Sequence, residues 1–205
     1  MVDLVHQRKR RGIMLISKFD TYGIEQKVIQ FEATYNIQFP SQYKKFILKY
    51  NGGHTPDTTF KVKPRRNEDV ISFYGIGVEE ECSLEKHPWI DERIGNGYLP
   101  IADDDFGNEY LIGIAKENYG KIYFYDHEEQ TAEFVRNDFN EFIVSCKSKK
   151  LDKSVRKTVA EREADLIARG LAHNITDGLR RLWQEEIDFY GNMVQEPVIL
   201  DESEN

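Results

Sequence analysis

The sequence predicts an α+β fold in which helices pack on a largely antiparallel sheet of about five to six strands. Three apolar runs of strand length lie between residues 98 and 126, and segments rich in Asp, Gly and Asn separate them. This pattern is typical of antiparallel strands joined by tight turns. Consecutive apolar residues such as Leu111 and Ile112 indicate that these strands are covered on part of both faces. Amphipathic segments before and after the runs supply the helices that cover them.

Two helices are predicted ahead of the strands. In residues 21–35, apolar side chains recur at spacings of four, three and four, which is one face of an amphipathic helix. A second helix over residues 43–50 is stopped by Asn51-Gly52-Gly53, where we expect a glycine to take the left-handed cap conformation. Residues 58–63 and 69–74 are strand-like, and we expect residues 75–97 to form a loop with at most one helical turn.

The remaining segments predict an edge strand and further helices. Residues 131–135 are strand-like, and Asn137 is a suitable N-cap for a helix that closes the domain. Two narrow amphipathic helices follow a lysine-rich linker, and we expect them to pack on the main domain or on a partner. The predicted organisation is a flexible basic tail (residues 1–19), one domain (20–148) and a C-terminal helical extension (149–205).

The composition favours a soluble cytoplasmic protein. Two cysteines in 205 residues are too few for a disulfide framework. No apolar run approaches the roughly 18 residues of a membrane-spanning helix. The basic cluster at residues 8–11 is a candidate nucleic-acid or targeting patch, but we favour a disordered tail, with Met14 as an alternative translation start.

Several separated motifs together resemble one family. They are Phe39-Pro40 after the first helix, residues 43–53, Leu99-Pro100-Ile101-Ala102-Asp103 with Gly107-Asn108, residues 122–128 and residues 139–142. In order and spacing they resemble the SUKH superfamily, and residues 174–191 resemble an extension found on some bacterial members. The superfamily includes fungal cell-wall-assembly regulators and bacterial immunity proteins that neutralise polymorphic toxins, often nucleases. The resemblance implies a binding scaffold.

No catalytic or metal site emerges from the residues themselves. Cys82 and His87 lie five residues apart in a polar loop, and we interpret them as unrelated surface residues. Residues 103–107 do not keep the order of a calcium loop, and His127 has no second histidine at ligand spacing. We therefore predict no enzyme activity, no cofactor and no metal.

Acidic residues are concentrated in the predicted sheet region. Residues 68–129 contain 16 acidic and 4 basic residues, a net charge of −12, against −8 for the whole chain. Such a field repels nucleic acid and attracts a basic partner. We predict that a rim of acids and interleaved aromatics binds the partner. The candidate residues are Glu79, Glu80, Glu81, Trp89, Asp91, Glu92, Asp103, Asp104, Asp105, Phe106, Asp126, Glu128 and Glu129.

The leading hypothesis is an immunity protein that occludes the active site of a cognate toxin with a basic toxic domain, such as a nuclease. A non-enzymatic regulatory scaffold of the same fold is the alternative, and an enzyme with a hidden pocket is the third possibility. We expect no nucleic-acid or membrane partner, and the oligomeric state stays open. We also expect Asp103, Asp104 and Asp105 to be exposed rim charges whose joint replacement by Ser leaves stability nearly unchanged.

Overall fold

The computed structural model describes residues 13–63 and 66–200, with only the backbone described at residues 63, 66, 67 and 80. The basic cluster at residues 8–11 lies outside this part of the chain. The described residues form two compact units, a main unit of residues 13–149 and 196–200 and a second unit, Lys150–Gln195. No helix in residues 13–63 or 66–200 is long and apolar enough to cross a membrane.

The main unit is an α+β structure, as predicted. Its helices are α1 (Ile24–Tyr35), α2 (Ser41–Tyr50), α3 (Ile90–Gly95) and α4 (Phe139–Ser145). Its strands are β1 (Leu15–Lys18), β2 (Gly53–His54), β3 (Thr58–Lys63), β4 (Arg66–Asp69), β5 (Ser72–Phe73), β6 (Tyr98–Asp103), β7 (Glu109–Gly113), β8 (Ile122–Asp126), β9 (Thr131–Arg136), β10 (Lys147–Ser148) and β11 (Glu196–Pro197).

All strand pairs in the described residues are antiparallel. The larger sheet has eight strands in the order β11-β1-β2-β5-β6-β7-β8-β9, and a smaller sheet has the order β10-β3-β4. The sheet therefore has more strands than the five to six predicted, because β1 was assigned to the tail and the two-residue strands β2 and β11 were not predicted. Such short strands leave no periodic pattern in a sequence.

Helices α1, α2 and α4 cover one face of the larger sheet. Phe46 of α2 lies 5.0 Å from Phe73 of β5, and Phe142 of α4 lies 5.1 Å from Tyr110 of β7, measured between ring centroids. These rings belong to one buried cluster that includes Phe31 of α1. The main hydrophobic core is therefore the layer between these helices and this face.

The end of α2 differs from the prediction. Asn51, not a glycine, follows the helix in the left-handed conformation, with φ of 51°. Its buried amide donates to the carbonyls of Asp20 and Ile76 and accepts the N–H of Ile76. Asparagine suits this position because it tolerates positive φ and its amide makes three hydrogen bonds to backbone groups, two of them to the buried Ile76.

Two further local expectations are wrong. Asp138, not Asn137, caps α4, because its carboxylate accepts the N–H of Glu141. Residues 15–18 are not a flexible tail, since β1 pairs with both β2 and β11 and Ile16 is fully buried.

The second unit contains α5 (Val159–Ala168) and α6 (Asp177–Tyr190). Thr158 and Glu161 form a capping box at the start of α5. Arg162 of α5 is buried; its Nη1 lies 2.6 Å from Glu186 Oε2, and its guanidinium lies 5.8 Å from the centre of the Trp183 ring. An ion pair thus joins the two helices, while no residue of α6 is fully buried.

Candidate functional site

The candidate site lies on the second face of the larger sheet. Alternation along β7 places Tyr110 in the core and Glu109 on the opposite face. Residues 75–97, which were expected to form a loop with at most one helical turn, contain two short 3₁₀ turns and α3. Two adjoining depressions of about 320 and 290 Å³ both include Trp89, Gly107 and Glu109 in their lining. Together they are called the cleft.

A buried ion pair forms the floor of the cleft. Arg93 Nε donates to Glu109 Oε2 at 2.8 Å, and the guanidinium lies 3.9 Å from the centre of the Tyr125 ring. Burial by itself raises the pKa of Glu109, but hydrogen bonds from His87 and Arg93 outweigh it and hold that pKa below its usual value. Glu109 is therefore a carboxylate at neutral pH, and α3 is fixed to β7.

His87 extends this network to the exposed Trp89. The backbone N–H of Trp89 donates to His87 Nδ1 at 3.3 Å, so the neutral ring carries its proton on Nε2. That nitrogen lies 3.5 Å from Glu109 Oε1. The backbone that carries Trp89 is thus tied to a buried carboxylate.

The β6–β7 turn is held by Asp104. This buried carboxylate accepts the backbone N–H groups of Phe106 and Asn108 and the side-chain amide of Asn108. Asn108 in turn accepts the backbone N–H of His127, in the β8–β9 turn. The two turns are therefore connected, and Phe106 projects from the first with 69% of its surface exposed.

The three consecutive aspartates do not share one environment. Asp105 is exposed, but Asp104 is a buried turn residue, so the expectation that all three are exposed rim charges is wrong. Asp103 is half-buried: its Oδ2 accepts the Tyr74 hydroxyl at 3.3 Å, whereas its buried Oδ1 has no hydrogen-bond partner among the described residues. Burial raises the pKa of Asp103 to about 6. Replacing all three by Ser would therefore destabilise the turn through loss of Asp104.

We expect Asp103→Asn to stabilise the protein at about pH 8 by on the order of 1 to 3 kcal/mol, and to change little near pH 4. A carboxyl whose folded pKa lies above its unfolded value contributes stability at low pH that is lost as pH rises from about 4 to about 6. The side-chain amide of the Asp103→Asn variant cannot ionise, so the variant does not lose this stability as pH rises. Urea unfolding across this pH range measures the effect, with Asp105→Asn as the exposed control; equal pH profiles for wild type and Asp103→Asn would contradict it.

The cleft brings together only part of the predicted rim. Glu81, Trp89, Glu92 and Asp103 line it. Gly107 of the β6–β7 turn and His127 of the β8–β9 turn also line the cleft. Phe106, Glu128 and Glu129 are exposed in these two turns. Asp126 accepts the N–H groups of Glu128 and Glu129. Glu79 and Asp91 are exposed and do not line the cleft, and the side chain of Glu80 is not described.

Sequence reasoning missed the floor of the cleft. Cys82 and His87 are both buried, so their interpretation as surface residues is wrong. Burial raises the pKa of Cys82 to about 11, and the thiol therefore stays protonated at neutral pH. One signal was present in the sequence: Glu109 begins an otherwise apolar run that was predicted to be covered on part of both faces. A charge in such a run needs a partner. Within residues 13–63 and 66–200, no cluster of three metal-binding side chains is found.

An aromatic row continues from the cleft across the second face. Tyr125 and Tyr123 lie two residues apart on β8 and therefore share this face. The Tyr123 ring lies 5.0 Å from Tyr98 of β6 and 5.9 Å from the half-exposed Phe134 of β9. The row, defined as Tyr98, Tyr123 and Phe134, gives this face apolar area next to the cleft.

Comparison with known proteins identifies the family. The SUKH_6 family model, described as SMI1-KNR4 cell-wall, matches residues 25–143. The chain is 23% identical over 163 residues to the SPbeta prophage-derived uncharacterized protein YokK of Bacillus subtilis (strain 168), an alignment that covers 69% of this chain and 83% of that protein. SUKH proteins are known as immunity or regulatory proteins rather than enzymes, and in general they are associated with toxin partners. Because the model matches more than half of the 205 residues and agrees with the motifs of the sequence, the chain belongs to the SUKH family.

Proposed function

We propose that this protein is an immunity protein that binds a cognate toxin through the cleft and occludes the toxin's active site. The observation that carries the proposal is Trp89, which is 55% exposed where the two depressions meet. Its backbone is fixed through His87 to the buried Glu109. Exposed aromatics on a rigid support are the anchors that dominate binding energy at protein interfaces.

The charges around Trp89 favour a basic partner. Arg93 pairs with the buried Glu109 and with the exposed Glu92, and Lys86 also lines the cleft. The exposed acids beyond these pairs are Glu81 at the cleft and Glu128 in the adjoining turn. Carboxylates in this arrangement attract the substrate groove of a nuclease, where they stand in for phosphates. Charges at the rim of an interface act mainly on the rate of encounter.

The aromatic row supports the size that such an interface needs. A specific complex buries about 800 Å² on each partner, which is more than one cleft supplies. Tyr123 and Phe134 extend the apolar surface away from Tyr125, which itself lines the cleft. The partner surface we propose therefore includes both features.

A stoichiometric inhibitor needs no turnover, and the cleft chemistry agrees with that. The Cys82 thiol is protonated at neutral pH, and Nε2 of His87 is directed at Glu109. Neither residue is therefore placed as an activated nucleophile or a free general base.

We expect Trp89→Ala to weaken binding of the cognate toxin at least about 30-fold, mainly through faster dissociation, because loss of an interface anchor costs about 2 kcal/mol or more. Tyr22→Ala is the matched control, since Tyr22 is 86% exposed and does not line the cleft. The measurement is binding kinetics, at low and high salt, with toxin domains taken from polymorphic-toxin genes that neighbour this one in its genome.

Protection of cells that express the toxin tests neutralisation in the same variants. The proposal requires that added salt slows association with the toxin. It also requires that Trp89→Ala protects the cells less well than Tyr22→Ala or the wild type. If Trp89→Ala and Tyr22→Ala bind with the wild-type rates, the toxin is bound by another surface and the cleft assignment is wrong. If the wild-type protein neither binds nor protects against the toxin, the immunity function itself is wrong.

A further inference from the structure

The β8–β9 turn presents a histidine whose tautomer is fixed by its neighbours. The carboxylate of Asp104 accepts the side-chain amide of Asn108 at 2.8 Å, so the amide nitrogen faces Asp104 and the amide oxygen faces His127. That oxygen accepts the backbone N–H of His127 at 3.1 Å and lies 3.0 Å from its Nδ1. An amide oxygen carries no proton, so the neutral imidazole holds its proton on Nδ1. Its Nε2 is therefore a lone-pair acceptor.

This acceptor has no partner among the described residues. The hydrogen bonds of His127 are the two to Asn108, and its Nε2 makes none within that part of the chain. His127 is exposed, and it lines the depression of about 320 Å³ together with Trp89, Glu92 and Gln130. A group that binds beside Nε2 must donate a hydrogen to it, because an anion or a carbonyl oxygen meets the lone pair.

The charges of this depression favour a cation as the donor. Glu92 and Glu109 supply two carboxylates, against the single guanidinium of Arg93. Arg93 is paired with both carboxylates and packed on the Tyr125 ring, so one negative charge remains uncompensated. Glu92 is 56% exposed, and only its Oε1 contacts Arg93. Its Oε2 is thus available to a second donor on the same ligand.

Trp89 favours one kind of cation. Its indole is 55% exposed and lines the same depression. A planar guanidinium stacks on an indole face and keeps five N–H donors at its edge, whereas an ammonium is a compact, strongly hydrated charge. The depression lies at the lower end of the roughly 300 to 1,000 Å³ of ligand pockets, which suits a single long side chain.

We propose that this depression binds an arginine side chain of the partner. The guanidinium stacks on Trp89, donates one N–H to Nε2 of His127 and donates another to Glu92. Asp104 and Asn108 are positioning residues, because they act through His127 and do not touch the ligand. The inference rests on the proposed function for the identity of the partner, a basic toxin, and adds the residue type that the cleft recognises.

The test uses a small probe and needs no toxin. Nuclear magnetic resonance of the full chain at about pH 8 follows the imidazole of His127 and the indole N–H of Trp89 during titration with Nα-acetyl-arginine amide. We expect the free protein to show the proton on Nδ1, and the probe to shift both signals with a dissociation constant on the order of 1 to 10 mM. The citrulline analogue, which has the same shape without the charge, should bind at least about tenfold more weakly.

Two replacements of His127 separate its acceptor from its role in the turn. His127→Asn supplies an amide that can donate to Asn108 as Nδ1 does but removes Nε2, and it should weaken probe binding about tenfold or more. His127→Gln supplies a carbonyl oxygen near the position of Nε2 and should bind within about threefold of the wild type. His173→Asn, at an exposed histidine of the second unit, is the matched control and leaves probe binding unchanged. Trp89 reports binding in all three variants.

The remaining outcomes decide against the inference. If the probe shifts neither signal at concentrations up to about 50 mM, the depression does not bind arginine, even where the toxin still binds the cleft. Equal binding of the citrulline analogue would show that charge has no part in it. Equal losses in His127→Asn and His127→Gln would show that the histidine acts through the turn and not through Nε2. Probe binding by a protein that neither binds nor protects against the toxin would instead overturn the immunity function and leave the arginine site standing.

Discussion

Replacing Arg93 by methionine lowers the free energy of unfolding by about 3 to 5 kcal/mol at neutral pH, because it leaves the carboxylate of Glu109 buried without its guanidinium partner and with His87 as its remaining neighbour. The size of the effect comes from desolvation of the remaining charge, since a surface ion pair contributes about 1 kcal/mol or less. Urea unfolding followed by circular dichroism measures it. Methionine keeps much of the volume of the arginine stem, so the loss does not reflect a cavity.

The pH dependence and a double variant distinguish this mechanism from general damage. In the wild type the pKa of Glu109 is lowered, so its contribution to stability is present above the unfolded pKa and is lost as pH falls. In Arg93→Met, burial raises that pKa, and the loss grows as pH rises. The double variant Arg93→Met, Glu109→Gln should recover much of the stability. A loss of equal size at acidic and neutral pH would contradict the buried-charge explanation.

Replacing Asn51 by alanine costs about 3 kcal/mol or more, the other large effect that we expect. Asn51 is fully buried, and its amide donates to the Asp20 carbonyl at 2.7 Å and to the Ile76 carbonyl at 3.1 Å, and accepts the Ile76 N–H at 2.8 Å. Each buried backbone group left without a partner costs about 1 to 3 kcal/mol. Thermal and urea unfolding measure the change.

Asn36→Ala is a matched control for the backbone part of that effect. Asn36 ends α1 in the same left-handed conformation, with φ of 52°, but it is exposed. Its replacement should cost only the roughly 1 to 2 kcal/mol of a non-glycine residue in that region. Equal losses at the two positions would show that backbone strain, and not the amide network of Asn51, sets the stability of this junction.

The parts of the fold that the sequence predicted are those with local signals. Helices α1, α2 and α4 and strands β6, β7 and β8 carry apolar periodicity or unbroken apolar runs, and their turns contain Gly, Asn and Asp. Strands β2 and β11 exist only because distant segments pair with them. That information is not contained in two residues.

The same distinction applies to the candidate site. The exposed Trp89 and the acid clusters were found because composition reveals them, but the Arg93–Glu109 pair joins a helix and a strand across a chain reversal. Asp104 was misread for a related reason. Charge alone does not show whether an aspartate accepts hydrogen bonds from its own turn or faces solvent.

The pairing of β1 with β11 has a consequence for synthesis of the chain. Leu15 pairs with Pro197, so one edge of the larger sheet is completed by residues near opposite ends of the chain. On the ribosome, β1 emerges early and β11 only after the whole second unit has been made. Until then β1 presents an open edge to other nascent chains, and such edges promote aggregation. The edge of β1 can be covered only when residues 196 and 197 have left the exit tunnel. A slow translation step before these residues therefore lengthens the time for which the edge of β1 is exposed.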